Sequence, residues 1–227
     1  MKKFQLLLSL TIAMMTFTSL GAQQDISALK QKAADGDPAA QVQVGMAYAL
    51  GSPRNPQEAM NWFRMAADQG YADGQYRLGG MYDAGIRPTN PTEAVKWYTL
   101  AAKQGYKDAE YRLGIMYDQG RGVSQNYVEA AKWFEKAAEQ GRPEAEYRLG
   151  EMYEKEQGVP KDYTAAMKWY LLAAGQGRAE AQYKVGYLYE QGLGVSQNKP
   201  VAMAWYQKSS QQGYAFATDA LKALQEQ

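Results

Sequence analysis

AEYRLGIMYDQGRGVSQNYVEAAKWFEKAAEQG, residues 109–141, decides how this chain folds, because its pieces recur on either side of it. Its first six letters, Ala109 to Gly114, return unchanged at Ala145 to Gly150. Widening the search gives five copies. A first glycine stands at Gly45, Gly79, Gly114, Gly150 and Gly186, a tryptophan at Trp62, Trp97, Trp133, Trp169 and Trp205, and a second glycine at Gly70, Gly105, Gly141, Gly177 and Gly213. Each series steps by 34 to 36 residues, the length of one supersecondary unit and the mark of a repeat array.

Within a unit, the spacing of Tyr111, Leu113, Gly114, Met116 and Tyr117 predicts a short helix, A, that stops at Gly120. After the RGVSQ loop, Asn126 opens a second helix, B, with Ala130, Trp133, Phe134 and Ala137 on one stripe and an end at Gly141. Asn55, Asn90, Asn126, Asp162 and Asn198 each lie seven residues before their tryptophan. Such side chains cap a helix by accepting from a free backbone N–H. Pro56 and Pro91 follow at the first helical position, and Glu58, Glu93 and Glu129 sit at the third, where they answer the cap. The glycine inside helix A costs about 1 kcal/mol relative to alanine. Its recurrence predicts a close approach of two helices against alanines such as Ala130 and Ala137, with the tryptophans packed in the core.

Two short helices cannot bury an apolar face alone, so neighbouring units must stack and the ends must be capped. ISALKQKAADGD (26–37) reads as a lone B helix, and FATDALKALQEQ (216–227) as a lone A helix with Asp219 and Lys222 in place of the tyrosine and glycine. The expected organisation is a signal peptide over 1–22, an N-terminal capping helix over 23–37, repeats at 38–71, 72–106, 107–142, 143–178 and 179–214, and a C-terminal capping helix over 215–227.

The unit resembles the Sel-one-like repeat (SLR), a relative of the tetratricopeptide repeat, in its A-x-Y-x-L-G-x-M-Y run, its G-x-G-V loop and its W-[FY]-x-x-A-A pair at Trp133, Phe134, Ala137 and Ala138. The resemblance spans Pro38 to Tyr214. It departs locally: repeat 1 has Val42 and Val44 for tyrosine and leucine, repeats 1 and 2 shorten the loop to GSPRN and GIRPTN, and repeat 4 has EKEQGVPKD without the first loop glycine. The resemblance implies an all-α fold, a right-handed α-solenoid of five helix-turn-helix repeats with capping helices at both ends. It implies a scaffold or adaptor and no catalytic residue.

Composition excludes several functions. The first 22 residues carry Lys2 and Lys3, an apolar run from Phe4 to Leu20, then Gly21 and Ala22, the pattern of a secretory signal. Its removal takes the formal charge from +1 to −1 and leaves no stable membrane anchor, and no basic surface suited to nucleic acid is legible. Cys and His are both absent, which rules out disulfides, thiolate nucleophiles and the commonest general base and metal ligand. The stretch from Asp118 to Glu129 places acids at both ends of a calcium-loop template, but Val123 stands where that loop requires glycine. No cofactor and no metal is expected.

Helix periodicity puts the positions three before, one after and four after the first glycine on one face. That face carries Tyr76, Tyr111, Tyr147 and Tyr183; then Gly80, Ile115, Glu151 and Tyr187; then Asp83, Asp118, Glu154 and Glu190. Arg77, Arg112, Arg148 and Lys184 run along its edge. Where helix A lines the concave surface, as in tetratricopeptide relatives, these residues form a groove of tyrosines and carboxylates. Aromatic and arginine side chains are favoured interface anchors. The expected function is an exported, periplasmic or secreted, non-enzymatic protein of a bacterial envelope that binds a protein or peptide partner in that groove. The competing reading of the same face is structural: tyrosines packed between repeats, and carboxylates paired with the arginines. The rival function, suggested by cysteine-rich secreted members of the family, is binding or hydrolysis of cell-wall muropeptides or β-lactams.

Overall fold

The computed structural model of the protein describes residues 27–85 and 88–226; the proposed signal segment, residues 1–22, lies outside them. Every regular element among the described residues is helical. Two compact units divide the chain, Met1–Thr89 and Asn90–Gln227. The first holds α1 (27–34), α2 (Pro38–Leu50), α3 (Pro56–Asp68) and α4 (Ala72–Gly80), the last continuing into a π-helical turn, Met81–Gly85. The second holds α5 (Pro91–Lys103), α6 (Lys107–Gln119), α7 (Tyr127–Glu139), α8 (Pro143–Lys155), α9 (Tyr163–Gly175), α10 (Ala179–Gln191), α11 (Lys199–Gln211) and α12 (Ala215–Gln225). Even-numbered helices are A helices and odd-numbered ones from α3 onward are B helices. No helix among the described residues is long and apolar enough to cross a membrane.

The B helices start where the sequence predicts. Asn55, Asn90, Asn126 and Asn198 each accept from the backbone N–H three residues on, and Asp162 accepts from Thr164 and Ala165. Each B helix gives way to a glycine of positive φ, among them Gly141 at 73° and Gly177 at 90°. In α6 and α10 the A helix ends on Gly120 and Gly192 in the left-handed region. In α8 that conformation falls on Glu156, at φ 59°, where repeat 4 lacks the loop glycine. The second loop glycine has a different task. A Cβ on Gly122, Gly158 or Gly194 would lie 2.2 to 2.4 Å from backbone atoms of Pro91, Tyr127 or Tyr163. Each loop therefore rests directly on the first turn of the preceding B helix, one of the joints between repeats.

One expectation about the core needs correction, and one, the packing of the tryptophans, gains detail. The glycine inside helix A makes room for an aromatic ring rather than for alanines: a Cβ there would sit 2.5 Å from Phe134 at Gly114, 2.6 Å from Tyr170 at Gly150 and 2.7 Å from Tyr206 at Gly186. These rings, each the residue after a tryptophan, are completely buried. The tryptophans themselves sit at the joints. Trp169 joins the core of the preceding repeat, with Ala130, Phe134 and Leu149, and Trp205 packs against the cluster of Tyr170 and Val185. Their outer faces are covered by lysines, Lys136 at 4.5 Å from the Trp133 ring centroid and Lys208 at 4.4 Å from that of Trp205.

Candidate interaction face

The face predicted from helix A is best built in the second unit, where α6, α8, α10 and α12 follow one another. Its tyrosines are half-buried, each against the aromatic ring that fills its own repeat: Tyr111 on Phe134 at 5.8 Å, Tyr147 on Tyr170 at 5.6 Å and Tyr183 on Tyr206 at 5.5 Å between centroids. The residue after the B-helix glycine closes over each from the C-terminal end of the same repeat. Arg142 lies over Tyr111 at 4.4 Å and Arg178 over Tyr147 at 4.8 Å, while Tyr214 packs on Tyr183 at 5.5 Å. Burial, then nearby carboxylates and tyrosines, pushes the Tyr147 and Tyr183 hydroxyls above the ordinary phenol value, so both stay protonated donors at neutral pH.

The carboxylates connect repeats to one another. Asp118 receives Arg148 Nη2 at 2.7 Å and Glu154 receives Lys184 Nζ at 3.0 Å. Glu154 and Glu190 also accept from the buried hydroxyls of Tyr170 and Tyr206, at 2.6 and 2.5 Å. Glu151, buried, is taken up on both oxygens, by Arg148 and by Lys155, each at 2.8 Å. Arg142 bridges Asp108 and Glu144. Half-buried Ile115 and Tyr187 thus alternate with a fixed ionic ladder. Tyr187, at the position of Ile115 and Glu151, stays half-buried at the edge of the Tyr206 cluster.

Tyr76, Arg77 and Asp83 belong to the first unit. Arg77 pairs with Asp73 at 2.9 Å, Tyr76 is half-buried and Asp83 is buried in the π turn. Arg112 is exposed on α6. The first unit also has a pocket of about 350 Å³ lined by Leu29, Val44, Ala47, Tyr48 and Pro53, with Lys30 over the Tyr48 ring at 5.4 Å.

A second ladder was not anticipated from the sequence. In four of the five repeats the glutamine before the second glycine reaches back to helix A of its own repeat: Gln69 to Gln41, Gln140 to Glu110, Gln176 to Glu146 and Gln212 to Gln182, at 2.7 to 2.9 Å. Gln41, Gln75 and Gln182 in turn donate to the carbonyls of Ala33, Ala67 and Ala174. Repeats 3 and 4 carry glutamates, Glu110 and Glu146, at this buried position, and burial pushes both carboxyls above the ordinary glutamate value. The signal was present as a glutamine in all five repeats, Gln69, Gln104, Gln140, Gln176 and Gln212. It reads as a polar helix end unless the 30-residue partner is known.

Comparison with known proteins places this arrangement. The family description "Sel1 repeat" matches residues 38–71, 72–106, 107–141, 143–177 and 179–214. The structure is similar to that of c5321, a protective antigen of uropathogenic Escherichia coli with an SLR fold, at 40% identity and a TM-score of 0.83 over 86% of this chain and 43% of that one. It is also similar to a Sel1 repeat protein from Oxalobacter formigenes, at 35% identity and a TM-score of 0.79 over 89% of this chain and 60% of that one. An F-box protein of Arabidopsis thaliana is 33% identical over 72 residues, 31% of this chain and 20% of that protein. The chain thus spans less than two thirds of the length of each of these relatives.

Proposed function

Because this chain belongs to the Sel1 repeat family, whose members are generally scaffolds for protein interaction, we propose that it is an exported, non-enzymatic adaptor that holds a protein or peptide partner against the A-helix face of its second unit. The observation that carries this reading is the register of Tyr111, Tyr147 and Tyr183, with Tyr187 beside them. All four are half-buried, and Tyr111, Tyr147 and Tyr183 are fixed by the ring that fills their own repeat and by Arg142, Arg178 or Tyr214 beyond its B helix. Such side chains are already ordered, so binding immobilises little that was free. Repetition required by packing explains the tyrosines; it does not explain why one position reads Ile115, then Glu151, then Tyr187. That variation is where selectivity for a partner resides. Lys2 and Lys3 followed by the apolar run from Phe4 to Leu20 support export to the periplasm or beyond.

Affinity capture with crosslinking from the native envelope tests the proposal. Wild-type protein retains a defined partner, and Tyr147→Ala with Tyr187→Ala loses it, whereas Lys132→Ala with Lys168→Ala on the exposed B-helix side retains it. Equal capture by both pairs of variants contradicts the assignment of the face, and recovery of the protein only in the cytoplasmic fraction contradicts export.

A further inference from the structure

The inference rests on that reading of the A-helix face and names the chemistry of its C-terminal end. In two inner rungs the next repeat supplies a cation to the carboxylate of helix A. Thirty residues beyond Asp118 stands Arg148, and thirty beyond Glu154 stands Lys184. Arg142 and Arg178 cover Tyr111 and Tyr147, and each lies 3.4 Å from a glutamate two residues on, Glu144 or Glu180.

At the last rung all three partners change. The position thirty beyond Glu190 is Ala220, the place of the arginine over the tyrosine is Tyr214, and the glutamate two residues later is Phe216. The Glu190 carboxylate accepts from the Tyr206 hydroxyl at 2.5 Å and has no cationic partner among the described residues. Beside it Tyr183, Tyr214 and Phe216 pack ring to ring, with centroids 5.5 to 6.3 Å apart, and Tyr187 joins the same cluster. Phe216 is 65% exposed, which a ring kept only for packing would not be. This rung presents an aromatic wall flanked by a carboxylate that has no counter-charge among the described residues.

We propose that Tyr183, Tyr187, Tyr214, Phe216 and Glu190 receive an arginine or lysine side chain from an extended protein segment, the partner supplying in trans the cation that Arg148 and Lys184 supply within the chain. A cation within about 6 Å of a ring face is attracted by its quadrupole, and a guanidinium can stack on one ring while it pairs with a carboxylate. The molecule already uses this geometry internally, with Arg142 over Tyr111 and bonded to Asp108.

The test uses an acetylated, amidated heptapeptide of serine and leucine with one central arginine, and its twin with citrulline, which keeps the shape and removes the charge. The full chain is titrated while ring resonances of its tyrosines and Phe216 are followed by NMR. The arginine peptide shifts Tyr183, Tyr187, Tyr214 and Phe216 saturably, and the citrulline twin binds at least tenfold more weakly. Glu190→Gln, nearly isosteric and on a half-exposed side chain, weakens the arginine peptide about tenfold, and Phe216→Ala weakens it as well. Ala220→Arg fills the site from within, so it abolishes the peptide-induced shifts while raising the melting temperature. Equal binding of the twins, or unchanged affinity in Glu190→Gln, overturns the assignment. Shifts confined to Tyr111 and Tyr147 overturn it while leaving the groove reading intact; loss of native-partner capture on neither face overturns the groove reading itself.

Discussion

An alanine at position 114 would bring its methyl to 2.5 Å from the Phe134 ring, so the mid-helix glycine is fixed by a ring that cannot move without opening the core. Helix propensity favours Gly114→Ala by about 1 kcal/mol, and overpacking opposes it by about 1–3 kcal/mol. The clash is with a fully buried ring, so the second effect wins. Urea denaturation should show net destabilisation, and adding Phe134→Leu should recover much of it, a coupling that independent sites would not show. The opposite sign is expected at Glu156. Its left-handed φ of 59° costs a side-chain-bearing residue about 1 kcal/mol, so Glu156→Gly should raise the unfolding midpoint, where Gly120→Ala and Gly192→Ala lower it. The residues that decided these points were visible in the sequence as recurrences. Their contacts were not: periodicity alone places Trp133 and Phe134 on one stripe, and cannot say which ring fills the repeat and which seals the joint to its neighbour.

Between helices, the buried acids of α6 and α8 make stability depend on pH. Burial raises Glu110 and Glu146 above the ordinary glutamate value, partly offset by Lys136 and the Gln140 amide at Glu110 and by the Gln176 amide at Glu146, while Glu139 and Glu144 add to the rise. The folded chain therefore holds these protons more tightly than the unfolded one. Their stabilising contribution is fully present below the unfolded value and is lost as pH rises through the folded value. Glu146→Gln introduces the amide that Gln41, Gln75 and Gln182 use to reach the preceding helix. It should stabilise the protein at pH 7 by about 1 kcal/mol and flatten the fall in melting temperature from the carboxylate range towards neutrality. An unchanged pH profile would contradict the assignment. At this scale the B helices were fully legible, because caps are local: Asn126 and Glu129 lie within one turn of each other. The glutamine and carboxylate ladders were not, because their partners lie 30 residues apart and become neighbours only once the repeats stack. The π turn at Met81–Gly85 was equally hidden, since nothing in the shortened loop of repeat 2 distinguishes an altered helix end from a simple early stop.

For the whole molecule, repeat architecture implies that each unit leans on its neighbours, and that a face running along several units can be tuned one position at a time. The candidate site was legible in the sequence as a face of tyrosines, carboxylates and arginines; how it divides between structure and recognition was not. Asp118, Arg148, Glu151, Glu154 and Lys184 hold one another across repeats, leaving Tyr187 and the terminal rung as the positions with side chains to offer. The central claim is that a partner lies on this face, and hydrogen exchange of the chain with and without its captured partner addresses it most directly. A partner seated there slows exchange in α8, α10 and α12 and leaves α7 and α9 unchanged on their exposed sides. Protection confined to α7, α9 and α11 would contradict it.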